Sequence, residues 1–199
     1  MNNPFRRAAI LMGLCLCSVL ANATLIEFVP ADQTVDLGDQ VLVDIVVTPD
    51  DVSIAAFDFI VNYDATILSV FSVVFGNSLD GGLSLSLQDI VDFGSGMLNL
   101  AELSLLFEFE LDALQNTDSF VLASIVFDTL ILGTSNLSFT GNIFGSPGFF
   151  VDAGGVAIAT EPGSGSITVV QPPVTVPEPP TWMLLIAGLL AVSLHRNKM

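Results

Sequence analysis

The chain has 199 residues, 52% of them hydrophobic, and a formal net charge of −17, with 4 Lys and Arg against 21 Asp and Glu. The four cations are Arg6, Arg7, Arg196 and Lys198, so the whole stretch between them is without Lys or Arg while it holds every acidic residue. A nucleic-acid binder is excluded, because phosphate contacts need cations; docking to anionic lipid or acidic polysaccharide would need a bridging metal.

The first 23 residues read as an export signal. Arg6 and Arg7 form a basic start, residues 8–20 an apolar run, and Ala21-Asn22-Ala23 a small-x-small cleavage site before Thr24. Cys15 and Cys17 lie inside this segment, so the mature chain carries no thiol chemistry and no disulfide.

Residues 24–170 are long enough for one domain with its own core. Strands are expected over 25–29, 41–47, 55–63, 67–75, 97–106, 107–111, 120–130, 135–140, 156–159 and 166–170. Turns are expected over the acidic residues 32–39 and at Thr48-Pro49-Asp50-Asp51, Asp64-Ala65-Thr66 and Gly76-Asn77. In 55–63 the alternation is clear: Phe57, Phe59, Val61 and Tyr63 point one way, Asp58, Ile60 and Asn62 the other. Residues 78–96 are irregular, 112–118 form a polar connection with a helical turn, and 141–148 form a Gly-rich loop. Helical periodicity is absent from the body. Many short strands about ten residues apart, with this much Val, Leu, Ile and Phe to hide, predict an all-β sandwich.

Residues 171–180 are Pro-rich and extended. They contain Pro177-Glu178-Pro179 and lead into an apolar run from Thr181 to Leu194, closed by the basic Arg196 and Lys198. As a helix that run spans roughly 21 Å against a hydrocarbon core of about 30 Å. By length alone it is a poor permanent span, so residues 181–199 are expected to anchor the chain at a membrane only transiently, with Arg196 and Lys198 as the stop on the cytoplasmic side.

The chemistry of an enzyme is missing. The single histidine, His195, lies in the tail, so the body can assemble no Ser-His-Asp triad and no imidazole metal site. Glu102, Glu108 and Glu110 share one region but have no Arg or Lys to bind a substrate. Asp36, Asp39, Asp50 and Asp51 give a weak calcium pattern that matches no EF-hand spacing. No cofactor is expected.

The tail resembles the PEP-CTERM sorting signal of Gram-negative bacteria. The resemblance implies export, a transient stay in the inner membrane, processing at Pro177-Glu178-Pro179 by an exosortase, and release to the cell surface or an exopolysaccharide-rich biofilm matrix. The body resembles a cohesin domain in Gly38-Asp39-Gln40-Val41-Leu42-Val43-Asp44-Ile45, in Ala56-Phe57-Asp58-Phe59-Ile60-Val61-Asn62-Tyr63-Asp64 with the following Leu68, in Leu122-Ala123-Ser124-Ile125-Val126-Phe127, and in its closing strands. This implies a jelly-roll β-sandwich of about nine strands, flanked by the signal peptide and a hydrophobic C-terminal helix. It also implies a non-enzymatic module that binds dockerin-type proteins through one sheet face, in a superfamily shared with carbohydrate-binding modules. Asp58 matches a position that faces the partner, and with Asn62 marks the expected binding face; Ala56 departs from the polar residue, often Asn, found there. Tyr63 is expected in the core with its hydroxyl on a backbone partner, and Asp64 as the acceptor that fixes the following turn. The alternative is a carbohydrate-binding or matrix-structuring module, for which Phe149-Phe150 is the loop aromatic candidate.

Overall fold

Alternation of apolar and polar side chains builds two sheets that share one core. The computed structural model describes residues 23–141 and 148–173, together with Leu185 and Leu189. Among these residues the strands are β1 (Thr24–Val29), β2 (Asp32–Asp36), β3 (Gln40–Thr48), β4 (Ala56–Asn62), β5 (Leu68–Phe75), β6 (Ser86–Asp92), β7 (Met97–Ser104), β8 (Phe120–Thr129), β9 (Gly133–Gly141), β10 (Phe150–Val151), β11 (Ala157–Ile158), β12 (Thr160–Pro162) and β13 (Ser164–Val170), and the body also holds the helix α1 (Glu108–Gln115). Nine of the strands have six residues or more, and four are shorter.

One sheet has the order β12-β1-β3-β8-β5. The other runs β11-β10-β4-β9-β13-β2, with β7 on the remaining edge of β4 and β6 beyond β7. The inner faces meet in a core that includes Ile26, Phe28, Val43, Ile45, Phe57, Phe59, Val61, Leu98, Leu100, Ile125, Phe127 and Ile167. Phe28 and Phe139 stack across the two sheets with ring centroids 4.0 Å apart, and Phe59 meets Phe139 edge-on at 5.6 Å. Such pairs add to the area burial of the rings themselves.

Several segments depart from the sequence expectation. Residues 107–111 are not a strand: Glu108–Gln115 is α1. The alternation Phe107-Glu108-Phe109-Glu110-Leu111 mimics a strand, and a helix of two turns is too short to declare a 3.6-residue period. Gln115 decides the matter. Its Nε2 donates to Ile54 O at 2.7 Å and to Ser78 O at 3.2 Å, and its Oε1 accepts from Ile54 N at 2.7 Å, which ties the helix end into the β3–β4 connection. The acidic segment 32–36 is strand β2, paired in parallel with β13, because a sheet edge tolerates exposed Asp. The irregular segment 78–96 contains β6, which pairs with β7 from Ser86↔Ser104 to Asp92↔Leu98. Gly38, at φ 97°, closes the β2–β3 turn as expected.

Ala23 directly precedes β1, and Thr24 N donates to Ala159 O at 2.9 Å. The export signal up to Asn22, with Ala21, the Pro177-Glu178-Pro179 motif, the basic residues Arg196 and Lys198, and the hydrophobic tail apart from Leu185 and Leu189 lie outside the described residues, as do residues 142–147 of the Gly-rich loop. Among the described residues no helix is long and apolar enough to cross a membrane.

Candidate functional site

The outer face of β6-β7-β4-β9 collects the residues singled out in the sequence. In β7 the buried Leu98, Leu100, Glu102 and Ser104 alternate with Met97, Asn99, Ala101 and Leu103, which therefore face outward. Register then fixes the neighbours, because directly opposed residues share a face. Leu87, Leu103 and Ala56 form one row across β6, β7 and β4; Asp89, Ala101 and Asp58 form the next. Val91, Asn99, Ile60 and Thr140 follow, then Met97, Asn62 and Ser138.

Asp58 and Asn62 thus stand on one face, as β4 alternation predicts, and each is held in place by a neighbouring strand. Asp58 Oδ1 accepts from Asn99 Nδ2 at 2.7 Å, and the same Nδ2 reaches Phe59 O at 3.1 Å. Asn62 Nδ2 donates to Thr140 Oγ1 at 3.0 Å. Asp89 was not foreseen, because residues 78–96 read as irregular; only the pairing with β7 shows that it stands beside Asp58 across Ala101. A shallow depression of about 170 Å³ lies over the Leu87, Asp89, Ala101, Leu103 and Asp58 corner.

Beneath this face lies a buried carboxylate that sequence reasoning weighed only as an acid–base partner. Glu102 is 2% exposed, and Gln88 Nε2 donates to its Oε1 at 2.9 Å, while its Oε2 is buried without a hydrogen-bond partner. Burial raises its pKa above the ordinary value; the Gln88 and Ser86 side chains pull the other way, and the Asp80 charge adds to the rise. Glu108 is exposed in the first turn of α1, and Glu110 Oε2 accepts from Phe107 N at 2.9 Å. Glu110 thus closes a helix end, and Glu102 is shut away from solvent.

Tyr63 is buried as expected, its ring 5.3 Å from that of Phe127, but its hydroxyl donates to Asp92 Oδ1 at 3.4 Å and not to backbone. Burial, followed by the charge and hydrogen bond of Asp92, pushes the phenol up to about 12. Asp64 fixes its turn as predicted: Oδ1 accepts from Thr66 N at 2.9 Å and Thr66 Oγ1 at 2.7 Å, and these bonds hold the carboxyl below its ordinary range.

Phe149-Phe150 is not an exposed sugar platform. Phe150 is fully buried, because β10 pairs it with Phe57 and its ring meets Phe59 edge-on; Phe149 is half-buried against Phe59 and Phe150. The aromatics that do face solvent include Phe107 and Phe109, each 70% exposed, with near-parallel rings 5.9 Å apart. The alternation that passed for a strand concealed them. Asp36 and Asp39 flank the Gly38 turn, and Asp50 and Asp51 sit in the β3–β4 connection. Among the described residues no three Asp or Glu side chains gather as a metal-ligand set.

No family model matches the chain, and no curated protein does. Solved structures do. The seventh ScaB type I cohesin from Pseudobacteroides cellulosolvens is 20% identical with a TM-score of 0.55, over 77% of this chain and 96% of that one. The sixth cohesin of Acetivibrio cellulolyticus scaffoldin B, solved in complex with a Cel5 dockerin mutant, is 19% identical with a TM-score of 0.56, over 75% of this chain and all of that one. The OlpA cohesin of Clostridium thermocellum, solved with dockerin Doc918, is 17% identical with a TM-score of 0.56, over 75% and 100%. The body of this chain therefore has the cohesin-type β-sandwich fold.

Proposed function

We propose that the chain is an exported, non-enzymatic binding module that takes a dockerin-type protein partner on the outer face of β6-β7-β4-β9. The observation that carries this reading is the face itself. Asp58, Asn62 and Asn99 are held by cross-strand hydrogen bonds, and apolar Leu87, Leu103 and Ile60 stand beside them. Polar groups fixed before binding, next to exposed apolar side chains, are what a protein interface needs. Support from the fold comes from cohesins solved as dockerin complexes. The carbohydrate-binding alternative loses its Phe149-Phe150 candidate, and no aromatic side chain stands in the four rows of the face.

Export rests on the two ends of the sequence. The signal at 1–23 would direct translocation. The Pro-rich linker with Pro177-Glu178-Pro179 and the apolar, basic-ended tail would hold the chain briefly in the inner membrane for an exosortase, before surface or matrix deposition.

The test is capture from the producing organism. The full chain should retain a protein that a variant carrying Ile60→Glu and Asn62→Arg does not. Absence of any such protein, with and without added calcium, would overturn the binding reading; intact mass of the exported chain decides whether the tail is removed.

A further inference from the structure

The outer face of β6-β7-β4 is divided along its length. Leu87 and Leu103 are directly paired, and Leu105 N donates to Leu85 O at 2.8 Å, which carries the pairing past the strand ends. All four leucines are exposed, Leu87 by 61%. Phe107 and Phe109 follow in the chain. Phe107 occupies the N-cap of α1, where Ser, Thr, Asp or Asn would accept a first-turn amide and Phe cannot. Two rings left in water and a poor cap are local costs that packing among the described residues does not offset, and such departures mark functional surface. The paired, exposed leucines form an apolar row of the kind that marks an interaction surface.

The next row is acidic. Asp89 and Asp58 lie on either side of Ala101, two strand spacings or roughly 10 Å apart. Charge decides what can cover them. The body has no Lys or Arg anywhere between Arg7 and Arg196. A second copy of the body would set like charges together, whereas Lys or Arg side chains would pair with both carboxylates.

Resting on the binding face proposed above, we infer that the partner is a protein presenting a cationic amphipathic segment: its apolar residues cover Leu85, Leu87, Leu103 and Leu105, and its Lys or Arg side chains meet Asp58 and Asp89. Those carboxylates set which partner is accepted; the leucines hold it.

Two helical probe peptides of about 18 residues, alike in a leucine face but bearing Lys or Glu on the other, test this with the purified full chain by fluorescence anisotropy. The Lys peptide should bind, more weakly at high salt, and the Glu peptide should not. Asp58→Asn with Asp89→Asn should weaken the Lys peptide about tenfold. Glu27→Gln with Glu161→Gln, an equal charge loss on the other sheet, should change it less than about twofold. Equal effects of the two double variants would reduce the attraction to bulk charge and overturn the inference. If Leu87→Ser releases the peptide while the Asp58 and Asp89 variant does not, the charge rule fails and the binding face stands; if neither matters, the face fails as well. Retention on phosphatidylcholine vesicles that is lost on Leu87→Ser or Phe107→Ser would replace the protein partner with lipid.

Discussion

Gln88 reaches across the β6–β7 pair to Glu102 and satisfies one carboxylate oxygen at 2.9 Å, leaving the other buried with no donor. No cation of this body can come to its aid, since none exists between Arg7 and Arg196. The low-cost state of such a carboxyl is the protonated one.

Stability should therefore fall as pH rises through the range in which Glu102 ionises. The unfolded chain releases that proton near the ordinary value, and burial makes the folded chain hold it to higher pH. The stabilisation is complete below the ordinary value and is lost as pH climbs through the folded one. Glu102→Gln keeps the shape and removes the titration. Its urea midpoint should decline less between mildly acid and neutral pH, and at neutral pH its unfolding free energy should exceed that of the parent by on the order of 1 kcal/mol. Repulsion among the other carboxylates also relaxes in acid, so the comparison of the two proteins, not the slope of either, isolates Glu102.

Gln115→Ala should cost about 2–4 kcal/mol in urea denaturation, because it strands both the amide and the carbonyl of buried Ile54. Gln115→Glu should be similarly damaging, since Nε2 supplies the bonds to Ile54 O and Ser78 O and a carboxylate cannot.

Gly96→Ala should prevent recovery of soluble folded protein. A Cβ there would lie 2.2 Å from Tyr63 O, at a φ of +82°. Gly94→Ala, two residues away at φ +66° in open space, should cost only about 1–2 kcal/mol. Soluble yield and circular dichroism of the pair separate collision from backbone strain.

The chain's single tyrosine makes Tyr63 directly readable. Alkaline titration followed by phenolate absorbance should give an apparent pKa of about 12. Asp92→Asn should lower it while leaving it above the ordinary value, because burial is the largest cause and stays. The folded phenol is protonated over a wider range than the unfolded one, so its contribution to stability is lost as pH passes from the ordinary value toward about 12.

Strands β3 and β4 were legible because each has one face in the core and the other outside, so polarity alternates cleanly. For the same reason Asp58 and Asn62 could be assigned to one face from spacing alone. β2 and β6 were not legible: both lie at sheet edges with few buried side chains, and Asp32, Asp36, Asp89 and Asp92 carry no apolar signal. α1 was hidden because Phe107 and Phe109 are exposed; a burial rule applied to them yields the wrong period. Phe149-Phe150 failed in the opposite sense. A Gly-rich neighbourhood suggested a loop, whereas pairing with β4 carries Phe150 into the core. Glu102 sits in register with the leucines of β7, and nothing local distinguishes a buried carboxylate from an exposed one.

The last strand of the body, β13, is bonded on both sides, antiparallel to β9 and parallel to β2. A pull on the residues after Val170 therefore runs along a strand whose hydrogen bonds lie across the direction of load. They must yield together in shear, where a hairpin edge would peel open one bond at a time. Tension delivered through the linker would meet the body at a strand anchored along both of its edges.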